Sequence, residues 1–213
     1  MTPFVLVLSS PSGGGKTTLA RRLLATRSDL GYSVSATTRP RREGEVDGRD
    51  YWFLSRAEFE RREAAGEFIE TATYNGERYG TLAAEVERVF ASGRHVVLDI
   101  EVAGARQVRR RFPDSVHVFV LPPSGAALVE RLQARRTEPP GALRARLVHA
   151  LEELTTVGEY DYVVINDQLE RAAAEVGAIL DAEGRRVARQ EGLAEFVAGL
   201  RRAIAEEAER VRA

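Results

Sequence analysis

The chain opens on an unbroken apolar run, Phe4 to Leu8, of the length expected for a strand buried on both faces. A glycine-rich turn from Ser10 to Gly15 leads into helical spacing around Thr17 to Leu24, so the first unit reads strand, loop, helix. Similar runs recur at Val96 to Ile100 and Val116 to Leu121, each followed by a helical pattern, and a last one at Tyr162 to Ile165. Repeated βα units of this kind predict an α/β fold with a parallel sheet covered by helices on both faces.

Between Ser35 and about Phe90 the rhythm changes. Short strand-like pieces accompany a helix opened by the capping-box pattern Ser55 to Glu58 and a turn at Asn75-Gly76, which predicts a small inserted α+β lobe. A second interruption, Arg136-Thr137-Glu138-Pro139-Pro140-Gly141, breaks two helical stretches and leaves two readings open, a mobile lid or a simple interhelical loop. Asp167 and Glu170 are spaced as cap and box for a helix running to about Leu180, with a break at Gly184. Beyond it, Leu193, Phe196, Val197, Leu200, Ile204 and Val211 fall near one face at helical spacing. The tail therefore reads as an amphipathic helix that either docks on the body or forms a dimer contact.

Composition narrows the function classes. With 213 residues, 44% hydrophobic and 30% charged, the chain suits one globular domain with a small insertion. Its opening apolar run is too short for a membrane span or a signal core, so a cytoplasmic protein without a membrane partner is expected. No cysteine occurs, which excludes disulfides, thiolate zinc sites and cysteine nucleophiles. His95, His117 and His149 lack metal-site spacing and read as packing or surface residues. A net charge of −1 argues against nucleic acid as a partner. Among 31 basic residues, Lys16 is the only lysine, so this one position demands a compact point charge where arginine serves everywhere else.

Lys16 sits in Ser10-Pro11-Ser12-Gly13-Gly14-Gly15-Lys16-Thr17-Thr18, between a predicted strand and a predicted helix, the context a phosphate-binding P-loop requires. Glycines let backbone N–H groups turn inward around phosphates, and the helix N-terminus adds partial positive charge. Lys16 suits the β and γ phosphates of ATP, Thr17 offers a hydroxyl to Mg²⁺, and Asp99 at the end of its strand is a candidate acidic partner of the same ion. Ser10 occupies the slot of the first glycine in the strict pattern.

The acceptor must be sought in the inserted lobe, because a P-loop alone does not choose between ATPase, GTPase and kinase. Residues Ser35 to Glu45 combine hydroxyls with clustered arginines, and Tyr51, Tyr79 and Thr81 add further donors, a set suited to a phosphate monoester. By residue type alone, a solvated basic surface remains the alternative. At this point the chain resembles the guanylate kinase family, whose signature S-x-T-T-R-x-P-R-x-G-E-x-x-G-x-D-Y is nearly reproduced from Ser35 to Tyr51. The similarity continues through Phe68-Ile69-Glu70, Tyr79-Gly80-Thr81, Leu98-Asp99-Ile100-Glu101, Arg131-Leu132, Arg135, Arg146-Leu147 and Asn166-Asp167.

The resemblance implies the P-loop nucleoside monophosphate kinase fold, with a parallel core over residues 1–34 and 92–181, a GMP-binding lobe over 35–91 and a lid over 131–146. Residues 182–213 stand outside that domain as a helical extension. It implies transfer of a phosphoryl group from ATP to GMP, and to dGMP, in purine nucleotide metabolism, by a monomer or homodimer. It places Ser35, Arg39, Arg42, Tyr51 and Tyr79 on GMP, mainly at its phosphate, and Glu70, Thr81 and Glu101 on guanine. Arg39, Arg135 and Arg146 would join Lys16 in catalysis, with Arg131 as a further lid residue. The family usually has proline where Arg41 stands, with Pro40 one place early. Two rivals accompany this reading: a catalytically silent binding module for a phosphorylated peptide, and a kinase for another nucleoside monophosphate.

Overall fold

The structure is a computed structural model describing residues 2–74, 76–134 and 142–212. In chain order its elements are β1 (Val5–Ser9), α1 (Lys16–Thr26), β2 (Leu30–Tyr32), β3 (Ser35–Thr37), β4 (Trp52–Phe53), α2 (Arg56–Ala64), β5 (Phe68–Tyr74), β6 (Glu77–Leu82) and α3 (Ala83–Ala91). There follow β7 (His95–Asp99), α4 (Val102–Arg111), β8 (Val116–Leu121), α5 (Gly125–Gln133), α6 (Ala142–Leu154), β9 (Tyr162–Ile165), α7 (Leu169–Gly184) and α8 (Leu193–Arg212).

β1 is the middle strand of a parallel five-stranded sheet ordered β2-β7-β1-β8-β9. Successive side chains of a strand point to opposite faces. Leu6 and Leu8 accordingly pack with Leu19 and Leu23 of α1 and Val176 and Leu180 of α7. Val5 and Val7 pack on the other face with Val86 and Val89 of α3 and Val108 of α4. A strand covered on both sides has no solvent-facing positions to make polar, hence the unbroken apolar run.

The inserted region forms a second sheet, ordered β4-β3-β6-β5, in which β6 runs antiparallel to both β3 and β5. Ala36, Leu82, Trp52 and Phe68 close one face of it against Phe59 of α2. That helix starts as predicted, with Ser55 Oγ accepting from the Glu58 N–H at 3.1 Å. β5 is tied to α4 by Gln107, whose side chain bonds both the N–H (3.1 Å) and the carbonyl (2.8 Å) of Thr71.

Three expectations need correction. The cap of α7 is Gln168, without a side-chain capping bond, because Asp167 is paired with Arg171 at 2.6 Å and Glu170 with Arg22 at 2.6 Å. Strand β2 escaped notice: three residues with a central glycine carry no periodic signal. The docked reading of the tail also fails, since α8 leaves Phe196 64% and Ile204 68% exposed. Asn75, first residue of the predicted turn, and residues 135–141, the middle of the predicted lid, lie outside the described residues. No helix among the described residues is long and apolar enough to cross a membrane.

Candidate active site

The loop from Ser10 to Gly15 springs from the end of β1 and turns directly into α1. Gly15 has φ 95°, and a Cβ there would lie 2.5 Å from Asn166 Nδ2, so only glycine fits. The loop is gripped from behind at Gly14, whose carbonyl accepts from Asn166 Nδ2 (3.2 Å) and Arg131 Nη1 (3.3 Å). Ser10 is buried and its hydroxyl donates to the Pro11 carbonyl at 3.0 Å, so the serine is absorbed into the loop's own bonding. Thr17 and Thr18 are exposed at the start of α1, whose first turn holds no acidic residue. The partial positive charge of that helix end is left for an incoming anion.

Lys16 points its Nζ to within 3.4 Å of Glu101 Oε1. Glu101 stands just beyond β7, at the N-cap of α4, and its second oxygen meets His149 Nε2 at 3.2 Å. His149 in turn lies 3.5 Å from Glu153 Oε1, and the other oxygen of Glu153 accepts from the Ser12 N–H of the loop at 2.8 Å. Burial alone would raise the Glu101 carboxyl, but Lys16 and His149 beside it hold it below its ordinary value. Glu153 goes the other way, pushed up to about 7 by burial and by the charge of Glu101. His149 and Glu153 went unrecognised in the sequence because no motif spacing links them to Lys16; only the fold brings α6 against the loop. Asp99, at the end of β7, is registered beside Leu8 at the root of the loop and accepts from Tyr32 Oη at 3.3 Å.

On the lobe, pairing across the strands sorts the candidate acceptor residues. Ser35 of β3 is opposite Thr81 of β6, Thr81 is opposite Glu70 of β5, and Thr37 is opposite Tyr79. Laterally paired residues, and residues two apart along a strand, share a face. Ser35, Thr81, Tyr79 and Glu70 therefore lie on one face, turned away from α2. Glu70 is 5% exposed, and its Oε1 accepts from the Thr81 hydroxyl at 2.7 Å. Desolvation raises its carboxyl to about 7. Its Oε2 lies directly against Gly104 of α4, where any Cβ would collide with it. Glu70 thus abuts the first turn of the helix that Glu101 opens.

Arg39 stacks over Tyr51 (5.4 Å to the ring centroid), which meets Tyr79 edge-on at 6.1 Å. Glu45 holds Arg39 at 2.7 Å and also accepts from the Arg42 backbone N–H at 2.8 Å. This ion pair raises Arg39 still further above its ordinary range. The side chains of Arg41 and Arg42 are exposed on the loop beyond. Glu45, quoted above only as part of a signature, is thus the residue that orders the arginine segment.

Two of the three predicted lid arginines lie among the described residues. Arg131 braces the loop at Gly14 and also reaches the Asn166 carbonyl at 3.0 Å. Arg146 is buried and donates to the Leu132 carbonyl at 3.4 Å. Arg135 lies outside the described residues.

Comparison with known proteins places these features in context. The family described as guanylate kinase matches residues 2–183. The chain is 51% identical over 185 residues to the guanylate kinase of Symbiobacterium thermophilum, covering 87% of this chain and 88% of that one. It is 47% identical to the guanylate kinase of Rhodopseudomonas palustris, over 94% of this chain and 91% of that one. The crystal structure of guanylate kinase from Anaplasma phagocytophilum superposes with a TM-score of 0.76 at 35% identity, covering 93% of this chain and 95% of that chain.

Proposed function

The chain belongs to the guanylate kinase family and phosphorylates GMP with ATP, and from that premise we propose how its own residues divide the work. The loop from Ser10 to Thr18 binds the ATP phosphates through its backbone N–H groups and the N-terminus of α1, with Lys16 on the β and γ phosphates. Glu70, Thr81 and Glu101 read guanine. Guanine presents N1–H and a 2-amino group as donors, which carboxylates accept, whereas adenine turns a lone pair on the same oxygens. An unpaired buried carboxylate rejects the wrong base by up to roughly 10⁴-fold. Ser35, Arg39, Arg42, Tyr51 and Tyr79 hold the GMP phosphate, the arginines as forks and the phenols as donors. dGMP serves as a second acceptor, since none of these contacts uses the 2′-hydroxyl.

No strong base is required, because the GMP phosphate is already an anionic nucleophile. Catalysis rests on alignment and on spreading the charge of the transferring group over Lys16, Arg39 and the lid arginines Arg135 and Arg146. The residues present also suit Mg²⁺: Thr17, in the first turn of α1, and Asp99, at the end of β7 beside β1, both carry oxygen ligands next to the loop. The ion, when bound, neutralises charge between the β and γ phosphates.

The observation that carries this reading is the 3.4 Å contact between Lys16 and Glu101, which joins the anion cradle to the acid-lined end of the acceptor face. The test is ADP formation from ATP and Mg²⁺ with GMP, dGMP, AMP, CMP or UMP as acceptor. Turnover with GMP and dGMP alone is expected. A different preferred base overturns the guanine assignment, and silence throughout points to a binding module.

A further inference from the structure

The family match ends at residue 183, and α8 lies wholly beyond it. This helix has 20 residues and so runs about 30 Å. Leu193, Val197, Leu200, Ile204, Glu207 and Val211 follow one another at alternating spacings of four and three, the row that faces a partner in a two-helix contact. Phe196 widens the stripe. Phe196, Val197, Leu200, Ile204 and Val211 are 64%, 43%, 48%, 68% and 79% exposed, so the protein's own body does not cover them. Scattered apolar side chains need no explanation, but a continuous stripe along one helix marks a contact surface.

Charge selects the occupant. Glu207 is the one acid in the row, and Arg201 flanks the row less than two turns before it. In a parallel pair each residue meets its own copy, which sets Glu207 against Glu207 in the apolar seam. In an antiparallel pair with the two-fold axis at Ile204, Glu207 is level with Arg201, while Val197 is level with Val211. The stripe is therefore complementary to itself in one orientation, as a two-fold contact requires. We propose that α8 pairs antiparallel with α8 of a second copy of this chain, about Ile204, forming a dimer.

Pairing two such stripes removes on the order of 1,000 Å² from water, the lower end for a specific interface, so a dissociation constant in the micromolar range is expected. The experiment is sedimentation velocity of the full chain across concentrations spanning 1 to 300 μM, a range chosen to bracket that affinity. Wild type, Arg201→Glu, Glu207→Arg, the double reversal and Ile204→Glu are compared, with GMP phosphorylation confirming folding. Each single reversal turns two symmetric attractions into repulsions and weakens the dimer about tenfold. The double reversal restores wild-type association, and Ile204→Glu abolishes it. A wild type monomeric throughout overturns the proposal, as does retention of the monomer on vesicles of anionic phospholipid. Failure of the double reversal to rescue overturns the antiparallel register.

Discussion

Lys16 and Glu101 form a 3.4 Å ion pair in which the phosphate-loop lysine is neutralised by a carboxylate assigned to the acceptor base. Each group is thereby held by the other. On the proposed assignment, Lys16 would exchange Glu101 for phosphate oxygens, and Glu101, once released, would be free to accept from guanine. That exchange would couple the two substrates.

Glu101→Gln removes the competing charge. ATP binding without GMP should tighten by roughly threefold to fivefold, the scale of a partly exposed ion pair, while kcat/KM for GMP falls. Calorimetric titration of ATP into both proteins checks the first part. Unchanged ATP affinity would mean that the pair is incidental.

Lys16→Arg keeps the positive charge but replaces a point donor on a flexible stem with a planar fork. Turnover should drop about a hundredfold or more, since the fork cannot follow the transferring group inside the glycine loop. Steady-state kinetics with an unchanged circular dichroism spectrum is the check. Near-normal kcat would contradict the assignment.

Desolvation raises Glu70 to about 7 from an ordinary 4.5, with two consequences for pH. Because the folded-state value is the higher one, its contribution to stability is full below pH 4.5 and is lost as pH rises through about 7. Relative to Glu70→Gln, the wild type should therefore lose ~3 kcal/mol of stability across that interval, measurable by chemical denaturation at several pH values. Conversely, on the proposed assignment it is the ionised carboxylate that accepts from the guanine N–H groups. Wild-type KM for GMP should fall as pH rises through this range, and the Gln variant should lose that dependence.

Much of the core was legible in the sequence because β1, β7 and β8 are buried on both faces and so are predominantly apolar, β8 broken only by His117. The loop was legible because only glycine fits where Asn166 crowds Gly15. What stayed hidden depends on distance across the fold. Glu153 reaches Ser12 from 141 positions away, and nothing local to α6 marks it as a loop contact. The capping pattern at Asp167 misled because local spacing takes no account of Arg171 and Arg22, which claim both carboxylates. The stripe on α8 was visible as periodicity, whereas its lack of a seat on the body was not.

The central claim, that guanine is read by the Glu70 carboxylate on the lobe while ATP is held at the loop by groups that Glu70 does not touch, is tested most directly by Glu70→Gln kinetics. With both substrates varied at pH 8, the account predicts that kcat/KM for GMP falls by about 10²-fold or more, as for a lost charged acceptor. KM for ATP stays within about twofold of wild type, because that binding is undisturbed. Equal losses for both nucleotides, or no loss for GMP, would contradict it.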